Sequence, residues 1–157
     1  MALGAVVLWI HVLCGVVWVG TCASFVLAAS AITAESAEWR AFAMRAAPRI
    51  NRINVVTACT IPLTGLGNLV YLGMTRSTPF PPAFFAVLSL KVLIYCAMGI
   101  MLAASMAAET AMRADYAQDE GANEAGDGAL RRLVRLYGLI AAFGTVALVL
   151  GLWLAGT

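Results

Sequence analysis

Two titratable side chains, those of His11 and Lys91, lie within otherwise uncharged apolar stretches, and they are the only histidine and the only lysine of the chain. Placing an ionisable group in hydrocarbon is costly, so such a residue inside a membrane span marks a candidate functional site. An imidazole nitrogen can bind haem iron or copper, and an ammonium group can pair with an anion. The two residues therefore predict a site for a metal or an anionic cofactor within a membrane.

The elements that must position these residues are long apolar helices. Hydrophobic residues make up 62% of the 157-residue chain and charged residues only 11%. About 20 apolar residues cross the ~30 Å hydrocarbon core of a bilayer, and four stretches meet that length. We therefore predict an all-α fold, a four-transmembrane-helix bundle that forms one domain over residues 1–157 and is surrounded by the lipid bilayer. The predicted helices cover about residues 3–31, 51–73, 82–108 and 131–155.

Arginines predict the orientation of the bundle. Eight of them lie in or beside the first and third loops, and only Arg76 lies on the other side. Because cytoplasmic loops carry an excess of Lys and Arg, both termini should face the outer (periplasmic) side. This is the arrangement of a multi-pass protein of a bacterial-type inner (plasma) membrane. The eight arginines are Arg40, Arg45, Arg49, Arg52, Arg113, Arg131, Arg132 and Arg135.

The two arginine-bearing loops differ in character. Residues 35–50 fit either a short interfacial helix or an extension of the second membrane helix, because their apolar residues fall on one helical face. Residues 114–129 are acidic and rich in glycine, which predicts a flexible cytoplasmic loop. The net charge of +2, with no basic run interleaved with aromatic residues, excludes a nucleic-acid partner.

His11 and Lys91 should share one depth in the membrane. At a rise of 1.5 Å per residue, both lie roughly 12–14 Å below the outer end of their helices. Thr64 and Asn68, in a polar stripe on the second helix, fall near the same depth. Helical spacing places the following residues on the faces of His11 and Lys91: Cys14, Gly15, Trp18, Cys22 and Phe25 on the first helix, and Phe84, Val87, Tyr95, Met98 and Ser105 on the third.

Proline and glycine mark two further positions. Pro62 should loosen the second helix around Ala58, because proline donates no backbone hydrogen bond. On the fourth helix, Tyr137, Gly144 and Gly151 follow at heptad spacing, which indicates close helix packing. The four cysteines form no CxxCH motif, so covalent haem attachment is excluded.

Three segments resemble the CopD-like group of membrane domains and the related HemJ-type proteins. WIHVLCGVVWVG resembles the opening of the group, in which a histidine precedes a Trp-x-Gly. PLTGLGNLVYLG resembles its Thr-Gly segment, and AVLSLKVLIYCAMGIMLAA resembles its Leu-x-Lys helix. The resemblance covers about residues 8–107. It implies a four-helix unit in which His11 is a ligand of haem b or copper, and His11 and Lys91 match positions of the group.

The preferred interpretation is a membrane redox protein that binds non-covalent haem b through His11 and serves electron transfer or haem-linked oxidation. Trp18 supplies an apolar wall, and cations and donors on the outer side hold the propionates. The sixth ligand is Met98, Lys91, the His11 of a second copy in a homodimer, or none. The residues assigned to the cofactor are His11, Lys91, Trp18, Asn68, Arg76 and Met98.

Two alternatives stay open at this stage. The first is copper transport or handling of the CopD type, in which His11 and Cys14 bind the metal and methionines add soft ligands. The second is a non-catalytic accessory subunit of a larger membrane complex. The predicted spans contain no Asp or Glu, so Lys91 would then pair with a carboxylate of a partner chain.

Overall fold

The computed structural model describes residues 2–31, 37–118 and 124–155, and these form four α-helices. All four are long and apolar enough to cross a membrane. This confirms the predicted all-α fold and the number of helices that could span a membrane. Four such helices indicate a multi-pass membrane protein. The helices are α1 (Ala2–Ala31), α2 (Ala37–Thr75), α3 (Pro82–Gln118) and α4 (Glu124–Ala155).

Helices α2, α3 and α4 extend beyond the apolar stretches that revealed them. α2 is continuous from Ala37, so of the two alternatives for this segment the structure has the helical extension. α3 reaches Gln118 and α4 begins at Glu124, so both ends of the predicted loop 114–129 are helical, and residues 119–123 lie outside the described residues. The added turns of α2 and α3 are rich in alanine, a strong helix former, although they are not apolar enough to be predicted as membrane spans. The added turn of α4 contains Gly126, Asp127 and Gly128, which are poor helix formers, so its helical state did not follow from composition.

The helices pack in the order α2, α1, α4, α3 around the bundle. α3 and α4 form the most extensive pair, whereas α2 and α3 pack least against each other. Small residues set the close approaches: a Cβ on Gly144 of α4 would touch Val19 of α1 and Met98 of α3. This confirms the predicted packing role of Gly144.

The densest part of the core lies toward one end of the bundle, where α1 ends, α2 begins, α3 ends and α4 begins. We call it the arginine-rich end, because Arg49, Arg52 and Arg113 lie there. Its interior is aromatic: the Phe25 ring lies 4.9 Å from that of Tyr137 and 5.4 Å from that of Trp39, centroid to centroid. The helix surfaces around the bundle carry many exposed large apolar side chains, as expected where helices face lipid.

A hydrogen bond near the middle of α2 joins it to α3, the helix against which it packs least. Pro62 has no N–H to donate to the Ala58 carbonyl, which would be left unpaired in the middle of α2. The Tyr95 hydroxyl of α3 donates a hydrogen bond to that carbonyl. α2 therefore continues through Pro62 without a break. The carbonyl of Ala58, where the sequence predicts a looser helix, is hydrogen-bonded by a neighbouring helix instead.

Candidate site around His11 and Lys91

The hydrogen bonds of His11 fix which of its ring nitrogens is available. Nδ1 lies 3.0 Å from the Ile61 carbonyl oxygen and 3.0 Å from Thr64 Oγ1. The Thr64 hydroxyl is itself placed to donate to the Thr60 carbonyl at 2.8 Å. Since a carbonyl oxygen can only accept, Nδ1 carries the hydrogen of the neutral ring and Nε2 keeps a lone pair. This tautomer presents Nε2 as a potential metal ligand.

Glycines on two other helices make room for the two titratable side chains. A Cβ on Gly65 of α2 would lie 3.0 Å from Cε1 of His11, so the imidazole rests directly on the backbone of α2. A Cβ on Gly151 of α4 would lie 2.8 Å from Nζ of Lys91. Each of the four helices therefore contributes one residue to a common level of the bundle.

The structure brings His11 and Lys91 together, in agreement with their predicted depth. Lys91 is close enough to His11 to act on it electrostatically. Both side chains are half-buried. Within residues 2–31, 37–118 and 124–155, Lys91 has neither a hydrogen bond nor an ion pair. A cationic side chain thus stands beside the imidazole without an anion from the described residues.

One carboxylate does fall within a candidate span, contrary to the predicted boundaries. The apolar part of α3 runs from Pro82 to Ala114 and includes Glu109. However, Glu109 follows Lys91 by 18 residues, or roughly 27 Å along the helix axis. It pairs instead with Arg113, one turn away, at 3.0 Å. Lys91 therefore gains no counterion from the acid on its own helix.

Two buried nitrogen atoms in the described residues have no hydrogen-bond partner, and they flank the level of His11. One is Nε1 of Trp18, two turns along α1, and the other is Nδ2 of Asn68, one turn beyond Thr64 on α2. Trp18 is almost fully buried, and its ring meets that of Tyr95 edge-on at 6.0 Å. Orphaned buried donors are rare in native proteins, and here both are donors that lack an acceptor.

Two other predicted site residues, Met98 and Arg76, lie away from the His11 level. Met98 is buried two turns deeper than Lys91 and packs at Gly144, so the structure does not bring its sulfur to His11. Arg76 lies at the connection between α2 and α3, with its guanidinium 5.2 Å from the centre of the Phe80 ring.

Cys14 is a half-buried free thiol one turn from His11. Across the described ranges, no group of three or more His, Cys, Asp or Glu residues is placed to hold a metal ion.

The sequence analysis missed a polar network near the arginine-rich end. Oδ1 of Asn51 accepts hydrogen bonds from Ser105 at 3.0 Å and from Tyr137 at 2.9 Å. Its Nδ2 donates to Glu109 at 2.7 Å. The available signal was the polar stripe of α2, which continues from Asn54 by one turn to Asn51. The predicted start of the second helix at residue 51 hid this continuation.

A second, smaller cluster follows on the same stripe. Asn54 is buried, accepts a hydrogen bond from Thr21 at 2.8 Å and donates to the sulfur of Cys22 at 3.2 Å. These contacts tie α1 to α2 deep in the bundle. The polar stripe of α2 thus meets three different helices along its length and reaches His11 at Thr64.

No protein-family model, curated protein or solved structure matches the chain. The relation to CopD-like and HemJ-type proteins therefore stays a prediction from the three motifs. The structure adds an apolar helical bundle with His11, Lys91, Trp18 and Asn68 at neighbouring levels. Within the described residues, Lys91 and the two buried nitrogen atoms of Trp18 and Asn68 have no hydrogen-bond partner.

Proposed function

We propose that this chain is an integral membrane redox protein that binds non-covalent haem b through Nε2 of His11. The observation that carries the proposal is the hydrogen bond from Nδ1 to the Ile61 carbonyl. Metal-ligating histidines characteristically donate their other ring N–H to a carbonyl or carboxylate, which fixes the tautomer and raises the basicity of the ligating nitrogen.

The surrounding residues fit an anionic macrocycle better than a bare metal ion. Haem b carries two propionates, and the site offers donors without acceptors: Lys91 Nζ, Asn68 Nδ2 and Trp18 Nε1. Gly65 and Gly151 reduce the side-chain bulk on the facing helices. When bound, haem supplies one-electron exchange, with a potential set by its ligands and burial. The protein residues hold it, pair its charge and exclude water.

The remaining parts of the proposal concern ligation and setting. Met98 packs at Gly144, two turns of α4 away from the glycine beside Lys91. A second protein ligand for haem would then be Lys91, His11 of a second copy in a homodimer, or none. The excess of arginine at one end supports an inner-membrane protein with both termini outside. The haem would then lie nearer the outer face and serve electron transfer or a haem-linked oxidation.

The test is the visible spectrum of the detergent-purified protein, oxidised and reduced with dithionite, with iron and copper quantified on the same sample. We expect sharp b-type bands and about one iron per chain. The His11→Ala variant should lose the bands and the iron, while Leu13→Ala, an exposed position on the same helix, should keep both. Added imidazole should restore the bands of His11→Ala. A full spectrum in His11→Ala, with helicity unchanged, would sink the assignment.

A second candidate is an accessory subunit of a larger membrane complex, and the unpaired Lys91 favours it. A half-buried ammonium group in a span calls for an anion, which a partner chain could supply as a carboxylate. If the purified protein holds neither metal, then Lys91→Met should release the chain from the complex recovered after mild solubilisation. If copper binds instead of iron, the site belongs to a copper-handling protein with His11 and Cys14 as ligands.

A further inference from the structure

A groove opens between α2 and α3 near the arginine-rich end, on the side where these helices pack least. Its volume is about 330 Å³. Most of its wall is apolar, formed by Pro48, Val55, Val56 and Met106. Arg52 and Glu109 lie on its polar side. The groove is separate from the His11 site, which lies toward the other end of the bundle.

The groove combines charged residues with an apolar wall, which suits a ligand that has both a headgroup and an acyl chain, such as a lipid. Its residues fall within the candidate spans Trp39–Thr75 and Pro82–Ala114. Arg52 lies toward the start of α2, and Val55 and Val56 follow it one turn further into the span, all three exposed. A headgroup at Arg52 would therefore place an acyl chain along the two valines.

The charges of the groove favour an anion. Glu109 is neutralised, because it accepts from Asn51 at 2.7 Å and pairs with Arg113 at 3.0 Å. Arg52 has no hydrogen-bond or ion-pair partner within the described residues. The lining of the groove thus presents an uncompensated positive charge beside apolar surface.

We propose that this groove binds an anionic phospholipid, with its phosphate on Arg52 and an acyl chain against Val55, Val56 and Met106. Basic pockets between membrane helices bind anionic headgroups in this way. A free phosphate would make no contact with the apolar wall. A zwitterionic lipid would bring its own cationic group close to Arg52, whereas an anionic lipid would not. The site does not depend on haem at His11.

The experiment is native mass spectrometry of the detergent-purified chain titrated with phosphatidylglycerol or phosphatidylcholine. We expect one phosphatidylglycerol to bind at least fivefold more tightly than phosphatidylcholine, the factor that about one arginine contact supplies. Arg52→Gln should remove that preference. Arg132→Gln, an exposed arginine of α4 at the same end of the bundle, should leave it unchanged.

A second variant tests the acyl-chain half of the groove without touching its charge. Met106→Trp should fill the apolar wall and weaken both lipids, while inorganic phosphate should compete with neither. Equal losses in Arg52→Gln and Arg132→Gln would show only diffuse attraction and overturn the proposal. So would competition by inorganic phosphate, or a dimer cross-linked through the groove.

Discussion

Polar side chains in the bundle interior are fully hydrogen-bonded near the arginine-rich end but not at the level of His11. Near the arginine-rich end, Asn51 makes hydrogen bonds with Ser105, Tyr137 and Glu109. Arg113 forms an ion pair with Glu109. At the level of His11 the polar groups outnumber their partners. Lys91 has no counterion among the described residues, and the two orphaned nitrogens lie one or two turns away.

The difference separates a closed hydrogen-bond network from a level where donors lack partners among the described residues. In a closed network every polar group has a hydrogen-bond partner within the protein. A buried donor without a partner is costly in a membrane, and a bound ligand or a partner chain could pair with it. Both regions use asparagines of the same helix. The same substitution of an α2 asparagine should therefore have unequal effects at the two levels.

The largest effect should come from Asn51→Leu. This change removes the acceptor of Ser105 and Tyr137 and the donor to Glu109, and interhelical hydrogen bonds in membranes contribute about 0.6 kcal/mol each. Glu109 keeps its ion pair with Arg113, so the loss of the three hydrogen bonds should lower the free energy of unfolding by about 2 kcal/mol. Titration with sodium dodecyl sulfate measures it. A loss as small as that of an exposed Thr110→Val variant would show that the network is not structural.

Two glycines of α4, seven residues apart, should differ when each is changed to alanine. A Cβ at Gly144 meets the β-branched side chain of Val19, which cannot move, whereas a Cβ at Gly151 meets only the flexible tip of Lys91. The gain in helix propensity is the same at both sites and cancels. We expect Gly144→Ala to be less stable than Gly151→Ala by about 1.5 kcal/mol, from overpacking. Equal stabilities would mean that the core at Gly144 is loose.

Tyr95→Phe tests the hydrogen bond from α3 to the Ala58 carbonyl of α2. The change removes only the hydroxyl that donates to the Ala58 carbonyl, and we expect a loss of about 1 kcal/mol. The double variant Pro62→Ala/Tyr95→Phe is the control, because an alanine at position 62 restores the backbone donor. The double variant should be more stable than the Tyr95→Phe single variant. The opposite order would refute the role given to Tyr95.

The smallest effect should come from Asn68→Leu, the counterpart of Asn51→Leu. Because Nδ2 of Asn68 has no partner, the change should alter the free energy of unfolding by less than about 0.5 kcal/mol. The same variant should weaken haem retention if Asn68 contacts a propionate. A loss of stability as large as that of Asn51→Leu would erase the contrast between the two ends.

The membrane architecture was predictable because it depends on composition. Four apolar stretches must be helices in lipid, and the depth calculation placed His11 and Lys91 at one level. Thr64 was expected near that level and bonds to Nδ1 of His11. Glycine spacing on α4 predicted close packing, which Gly144 confirms. The orientation in the membrane stays a prediction.

Side-chain pairing was less predictable, because it depends on the rotation of each helix about its axis. Asn51 stood at a predicted helix end and Glu109 just beyond one, so neither was considered as an interior residue. The placement of Met98 two turns below Lys91 likewise follows only from the register of α3 against α4. Apolar periodicity carries little information on rotation when every face of a helix is hydrophobic.

The bond from Tyr95 to the Ala58 carbonyl has a consequence for the biogenesis of the protein. α2 leaves the ribosome before α3 does, and until α3 packs against it the Ala58 carbonyl lacks the donor that Tyr95 supplies. We expect an insertion assay with a glycosylation reporter to show poorer integration of α2 alone than of α2 followed by α3. The newly made chain therefore reaches a stable membrane topology only after its third span has left the ribosome.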